Sequence, residues 1–298
     1  DIPTLENFAF GDTPTAEAIA GLLGDVFAHP EGERFTVSEY ELSVRHDVRP
    51  LVLKTILTYL ELDGFLEQGT PFYAGYRVRP ASGEWDDVYA TFDADRAEFL
   101  RRVIASGKEG RVWTSVDPES VRGEERERVV DALGYLEQQG LVELKVADVR
   151  QRFSLLKQPP SREELCDRLA ERFNRREQSE AERIERVVAL VEHVGCQVQA
   201  LIGYLGETRP EPCGHCTCCL AGSAQSLPEP AAPPDVDLDR AVLDELTLEY
   251  PTALGSSRQR ARFLCGLSSP ATTRAKLSRH ELFGTLAEHR FADVLGMS

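Results

Sequence analysis

Four of the chain's 7 cysteines fall in one short run, Cys213-Gly214-His215-Cys216-Thr217-Cys218-Cys219, and this run constrains the fold more than any other feature. The other three are Cys166, Cys196 and Cys265. An odd count with no secretory leader argues against a disulfide framework. Cys-Gly-His-Cys also occurs as a reactive dithiol, but that chemistry needs a buried strand leading into a helix. Here Thr208-Arg209-Pro210-Glu211-Pro212 precedes it, a turn-rich segment, and two more cysteines follow at once. Metal binding explains more. Cys213, Cys216 and Cys219 recur with two residues between neighbours, which lets a tight loop turn three sulfurs to one ion. A closed tetrahedral zinc site needs a fourth soft ligand.

Cys196 is the candidate. From Ala181 to Leu205, Ile184, Val187, Val188, Val191, Val194, Val198, Leu201, Ile202 and Leu205 keep helical spacing and form one stripe. Cys196 falls roughly 150° from its centre, where the cysteine loop can fold back to it. The expectation is a single brace helix about 37 Å long. Cys218 reads as a spare thiol, His215 as a substitute ligand, and Cys166 and Cys265 as packed core thiols. Four thiolates leave no open position for water, so the site is expected to be structural.

The rest of the chain divides by pattern. Thr13-Pro14 followed by Ile19, Leu22, Leu23 and Val26 predicts a helix, and Ser38-Glu39-Tyr40-Glu41 predicts a capped second one. Pro50 opens a third, stopped by Gly64. Phe65–Glu67 and Tyr76–Val78 read as a β-hairpin, which completes the plan of a winged helix over 1–80. Leu57-Thr58-Tyr59-Leu60-Glu61-Leu62-Asp63-Gly64-Phe65-Leu66-Glu67 then recurs at an offset of 76 residues as Leu133–Glu143, with 6 of 11 positions identical. A helix at 93–106, a strand at Arg111-Val112-Trp113 and another near 151–156 complete a second such module over 81–157. Residues 158–222 form the helical zinc module, 223–234 a Pro- and Ala-rich linker, and 235–298 a C-terminal module broken at Pro251 and Pro270. The expected class is α+β and mostly helical, with several domains. The last module is either a helical bundle or a third winged helix.

Charge is uneven. The net charge of -16 excludes a uniform coat of phosphate-binding cations. Residues 1–100 carry -12, whereas 255–298 carry +4 through Arg258, Arg260, Arg262, Arg274, Lys276, Arg279 and Arg290 against three acids. No apolar run approaches the roughly 18 residues of a membrane span. The chain opens at Asp1 without Met and reads as a soluble, intracellular fragment or processed product.

The zinc segment resembles a known family. Cys196, Cys213, Cys216 and Cys219, embedded in Leu201-Ile202-Gly203-Tyr204-Leu205-Gly206-Glu207 and Glu211-Pro212-Cys213-Gly214, are similar to the zinc module of RecQ-family DNA helicases, with Leu205 where that family has Phe. The likeness covers residues 160–222. It implies an ATP-dependent 3′–5′ DNA helicase of repair and recombination, in which the zinc module braces the motor and winged helices engage duplex DNA. The winged helices here precede zinc instead of following it, an order that looks like a divergent, RecQ-like bacterial branch, cytoplasmic and nucleoid-associated. No Gly-x-x-x-x-Gly-Lys-Ser/Thr loop and no Asp-Glu-x-His box exists in these residues. ATP and Mg²⁺ would therefore belong to motor lobes outside this chain, and these lobes are the expected partner within the parent protein.

DNA, at a fork or a single-strand/duplex junction, is the other expected partner. Arg258, Arg260, Arg262, Arg274, Lys276 and Arg279 are its candidate contacts, with Phe72, Tyr73 and Arg77 at the tip of the first hairpin. Those rings either stack on a base or cover the wing against its own helices. Lys145, Arg150 and Arg152 share a strand and are further phosphate candidates or a solvated face. No catalytic set stands out. The competing reading is a zinc-stabilised winged-helix scaffold that binds protein instead of DNA.

Overall fold

The helical and extended segments follow the local signals closely. The computed structural model describes residues 2–224, 226–228 and 232–297. Part of the expected linker, 225 and 229–231, lies outside the described residues. In chain order the elements are α1 (Ile2–Gly11), α2 (Ala16–Val26), β1 (Arg34–Val37), α3 (Glu39–His46), α4 (Pro50–Leu62), β2 (Leu66–Gln68), β3 (Phe72–Pro80), α5 (Trp85–Tyr89), α6 (Ala94–Ala105), β4 (Lys108–Glu109), β5 (Thr114–Val116), α7 (Arg126–Gln138) and β6 (Val142–Leu155). Then come α8 (Arg162–Val191), α9 (Gln197–Tyr204), α10 (Thr217–Ala221), α11 (Arg240–Glu249), α12 (Pro251–Leu254), α13 (Ser257–Leu264), α14 (Pro270–Arg274) and α15 (Phe291–Met297). They form two compact units: Asp1–Ala28, Leu42–Ile56 and Pro159–Ser298 in the first, His29–Glu41 and Leu57–Gln158 in the second.

In the first unit, α2 buries Ile19, Leu22, Leu23 and Val26 on one face, as the 3.6-residue period requires. Its cap is Thr15, whose Oγ1 accepts from the Ala18 N–H at 3.1 Å. The helix thus starts two residues after the expected Thr13-Pro14, and the Thr13 carbonyl accepts from the Arg262 guanidinium. Helix α8 buries Leu165, Cys166, Leu169 and Phe173 in its first half and packs on α1 and α2. The C-terminal segment has its own core of Leu243, Leu246, Leu254, Phe263, Leu264, Leu277, Leu286, Phe291 and Val294. Both prolines begin helices there, Pro251 in α12 and Pro270 in α14, where a missing N–H costs nothing. No strand occurs among the described residues after 155, so this segment is a helical bundle.

The second unit is built on a sheet of order β1-β6-β3-β5-β4, with β2 also paired to β6. The expected hairpin does not form: β2 and β3 do not pair with each other. Both run antiparallel to β6, from Leu66↔Leu155 to Gln68↔Phe153, and from Phe72↔Arg150 to Pro80↔Val142. The Gly69 N–H donates to the Arg152 carbonyl at 2.7 Å and carries the pairing between them. The product is a ribbon of residues 66–80 against 142–155, about 45 Å long at the usual rise.

Each repeat thus lends its final strand to the other. Val78 of β3 enters the core of Val103, Val129, Leu133 and Val142. Phe153 of β6 pairs with Phe35 of β1 and Gln68 of β2. On β6 the buried residues are even-numbered at one end (Val142) and odd-numbered at the other (Phe153, Leu155), so one strand serves two cores. The two short separate strands expected in the second repeat become β5, three residues later than Arg111-Val112-Trp113, and the continuous β6.

Candidate metal centre

The four sulfurs expected to bind one ion lie together. The Sγ atoms of Cys196, Cys213, Cys216 and Cys219 are all within 4.8 Å of one another, and Cys213 and Cys219 are 4.0 Å apart. A tetrahedron of thiolates about 2.3 Å from zinc has S···S edges of about 3.8 Å, so the cluster needs only small closure to hold the ion. Three of the ligands follow from the local chain. Gly214 adopts φ 73 just after Cys213, a left-handed turn that L residues resist. Cys216 then caps α10, and Cys219 lies one turn into it.

The fourth arrives differently from the sequence expectation. The single helix over 181–205 is interrupted: α8 stops at Val191, Gly195 takes φ 131, and α9 begins at Gln197. Cys196 is therefore the N-cap of α9. Its Sγ accepts from the Gln199 N–H at 3.4 Å and the Cys213 N–H at 3.2 Å. A helix passing straight through would occupy the Gln199 N–H with a backbone carbonyl. The corner frees it for sulfur.

Backbone donors surround the sulfurs. Cys213 Sγ accepts from the N–H groups of Cys216 at 3.1 Å and His215 at 3.4 Å. Hydrogen bonding by the Cys213 N–H holds the Cys196 thiol below its ordinary range. The Cys219 N–H brings Cys216 down to about 6, while Cys219, sharing its proton with Cys216, is pushed up to about 12. Such a set retains protons where a cation would bind, and a metal would displace them. Neither Cys218 nor His215 belongs to the cluster. His215 Nδ1 lies 2.8 Å from the Cys213 carbonyl, which turns the ring away. Cys166 and Cys265 are buried elsewhere, as expected, and burial pushes the Cys265 thiol up to about 12.

The family model for RecQ zinc-binding matches residues 147–220. This segment is similar to RecQ zinc-binding domains. All four cysteines lie inside it, which supports a structural zinc and is consistent with the C-terminal region of a RecQ-family helicase. No curated protein matches the chain. Among the described residues, no helix is long and apolar enough to cross a membrane.

The cationic candidates separate into two groups. Arg258 makes a bidentate pair with Glu177 at 2.8–2.9 Å, donates to the Phe10 carbonyl and lies over the Phe291 ring. Arg262 is 4 % exposed, and burial lowers its pKa to about 10. Arg260 donates to the carbonyls of Leu254 and Gly255 and to Ser257 Oγ. These three guanidinium groups are engaged by the protein's own acceptors. Arg274, Lys276 and Arg279 are exposed.

At the expected hairpin tip, Phe72 is held between Arg126 and Arg152, 5.3 and 4.9 Å from its ring. Phe72 is half-buried, whereas Tyr73 and Arg77 are exposed. Arg150 is paired with Asp148 at 3.0 Å. The N–H···S donors escaped the sequence reading altogether. Their only local sign is Gly195 directly before Cys196, a residue type suited to a sharp helix break.

Proposed function

We propose that this chain is the non-motor region of a RecQ-like, ATP-dependent 3′–5′ DNA helicase, in which zinc holds the 192–222 segment and the flanking modules contact DNA during unwinding in repair or recombination. The observation that carries this reading is the four-thiol cluster inside the segment that matches the RecQ zinc-binding family. The two repeats, 1–80 and 81–157, are a pair of winged helices that have exchanged their last strands. ATP and Mg²⁺ act in motor lobes of the parent protein. In the C-terminal bundle, the exposed Arg274, Lys276 and Arg279 are the phosphate contacts, with Arg258, Arg260 and Arg262 holding the bundle itself.

Fluorescence anisotropy with single-stranded, duplex and forked DNA over a salt titration tests this. The log K against log salt slope for duplex should be about -0.9 per phosphate contacted. The triple variant R274E/K276E/R279E should bind more weakly with a shallower slope. No binding to any of the three DNAs at low salt would overturn the reading in favour of a zinc-stabilised scaffold for protein partners. The net charge of -16 and the engagement of three C-terminal arginines favour that second reading.

A further inference from the structure

Across β4, β5, β3 and the first half of β6, the sheet of the second unit has one face packed on helices and one face open. Tyr76, Val78, Val116, Val142 and Leu144 join the core. The residues alternating with them point to the opposite side. Strand register assembles these into a row that no linear motif announces. Lys108 of β4 is opposite Ser115 of β5, Ser115 is opposite Arg77 of β3, and Arg77 is opposite Lys145 of β6. All four are exposed. At about 4.8 Å per strand, the row extends roughly 14 Å across the sheet.

Next to this row lies an aromatic ring. Trp113 is half-buried, with the Arg79 guanidinium 4.8 Å and the Lys145 ammonium 4.7 Å from its ring. Further along β3, past the small pair Gly75 and Ala147, Tyr73 is 44 % exposed opposite Val149. Acids do not cancel the row. Glu143 is held by Arg79 at 2.6 and 2.7 Å, and Asp117 caps the Glu119 N–H at 2.9 Å. Glu109 pairs with Thr114 in the row that includes Val78 and Leu144, on the other side of the sheet.

We propose that this open sheet face binds single-stranded nucleic acid, its phosphates along Lys108, Arg77 and Lys145 and its bases against Trp113 and Tyr73. Cations that track a backbone, beside rings that accept any base, are what such binding requires. A face four strands wide, β4-β5-β3-β6, is broader than the helix or two-stranded ribbon that a duplex major groove admits, so the single strand is the better fit. The assignment rests on the reading that this region contacts DNA, but it names a different surface from the C-terminal cations.

The test measures anisotropy of labelled oligo(dT) with the zinc-loaded chain, as wild type, R77E/K145E and the milder R77Q/K145Q. The charge-reversal variant should lose about tenfold or more in affinity, and its salt slope should become shallower by about 1.4, at about 0.7 per single-strand phosphate. The neutral variant should lose less, and both should keep the wild-type melting temperature and zinc content. In a W85F background, which leaves Trp113 as the remaining indole of 2, oligo(dT) should quench the fluorescence. Wild-type affinity in both double variants would overturn this surface while leaving the DNA reading intact. Failure of the wild type to bind single-stranded, duplex or forked DNA would overturn both. Labelled polyglutamate bound as tightly as oligo(dT), and lost in R77E/K145E, would overturn nucleic acid as the occupant in favour of an acidic protein.

Discussion

The zinc segment and the C-terminal bundle are neighbours in sequence, yet opposite physics holds them. Helices α9 and α10 bury none of their residues, and Val194, Leu205 and Leu220 are 84, 70 and 74 % exposed. What organises 192–222 is four sulfurs and the N–H groups aimed at them. Among the described residues the bundle has no such cluster, but it packs Phe263, Phe291, Leu254 and Val294 at 0 % exposure. A short segment with little apolar surface to bury cannot fold on hydrophobic burial alone. Metal ligation replaces the missing core, and the two segments should fail under different insults.

Removing zinc with a chelator, or making C196S, should have the largest effect. Zinc binding to small Cys/His modules is worth about 10–16 kcal/mol, so hydrogen exchange over 192–222 should rise to the unfolded rate. The first half of α8 should stay protected, because Leu165, Leu169 and Phe173 are buried without any metal. Stoichiometric zinc and unchanged protection in C196S would remove the ligand assignment. F263A should reverse the pattern. It should cost about 3–5 kcal/mol in urea unfolding of the bundle, with zinc content unchanged.

R258A comes next. It strands Glu177, whose side chain is 11 % exposed, and breaking one side of a buried pair costs about 3 kcal/mol. Chemical denaturation should show this loss, and R258K should recover only part of it, because a lysine cannot make the bidentate contact. C218S should cost under about 0.5 kcal/mol and keep its zinc, as measured by metal analysis.

The smallest effect concerns pH. Burial pushes the Asp25 carboxyl up, but hydrogen bonds from His46 at 2.8 Å and Arg45 at 2.7 Å outweigh it and hold the group below its ordinary 3.8. A depressed folded pKa adds stability above the unfolded value that is lost as pH falls through the folded one. Melting temperature should therefore drop below about pH 4, with a shallower drop in D25N.

Local chemistry was enough for much of this molecule. The clustering of four cysteines was legible because a tight Cys-x-x-Cys-x-x-Cys loop has few other uses. Ser38 caps α3 as its position suggests, accepting from the Glu41 N–H at 3.3 Å, and Pro50 and Gly64 bracket α4. Each of these depends on residues within one or two turns of one another.

Tertiary structure decided the rest, for reasons that act over distance. The helix break at Gly195 was hidden because Val191, Val194 and Val198 continue a helical period through it, and only sulfur ligation distinguishes the corner from a straight strut. The strand exchange was hidden because β2 can in principle pair with β3 or with β6, and the hydrogen bonds are chemically the same. The choice rests on which side chains each register buries. The C-terminal arginines look alike in sequence, but Arg258 meets a carboxylate 81 residues away and Arg262 a carbonyl 249 residues away. Charge can be read from a side chain's identity. Whether that charge faces solvent depends on partners that the fold brings from far along the chain.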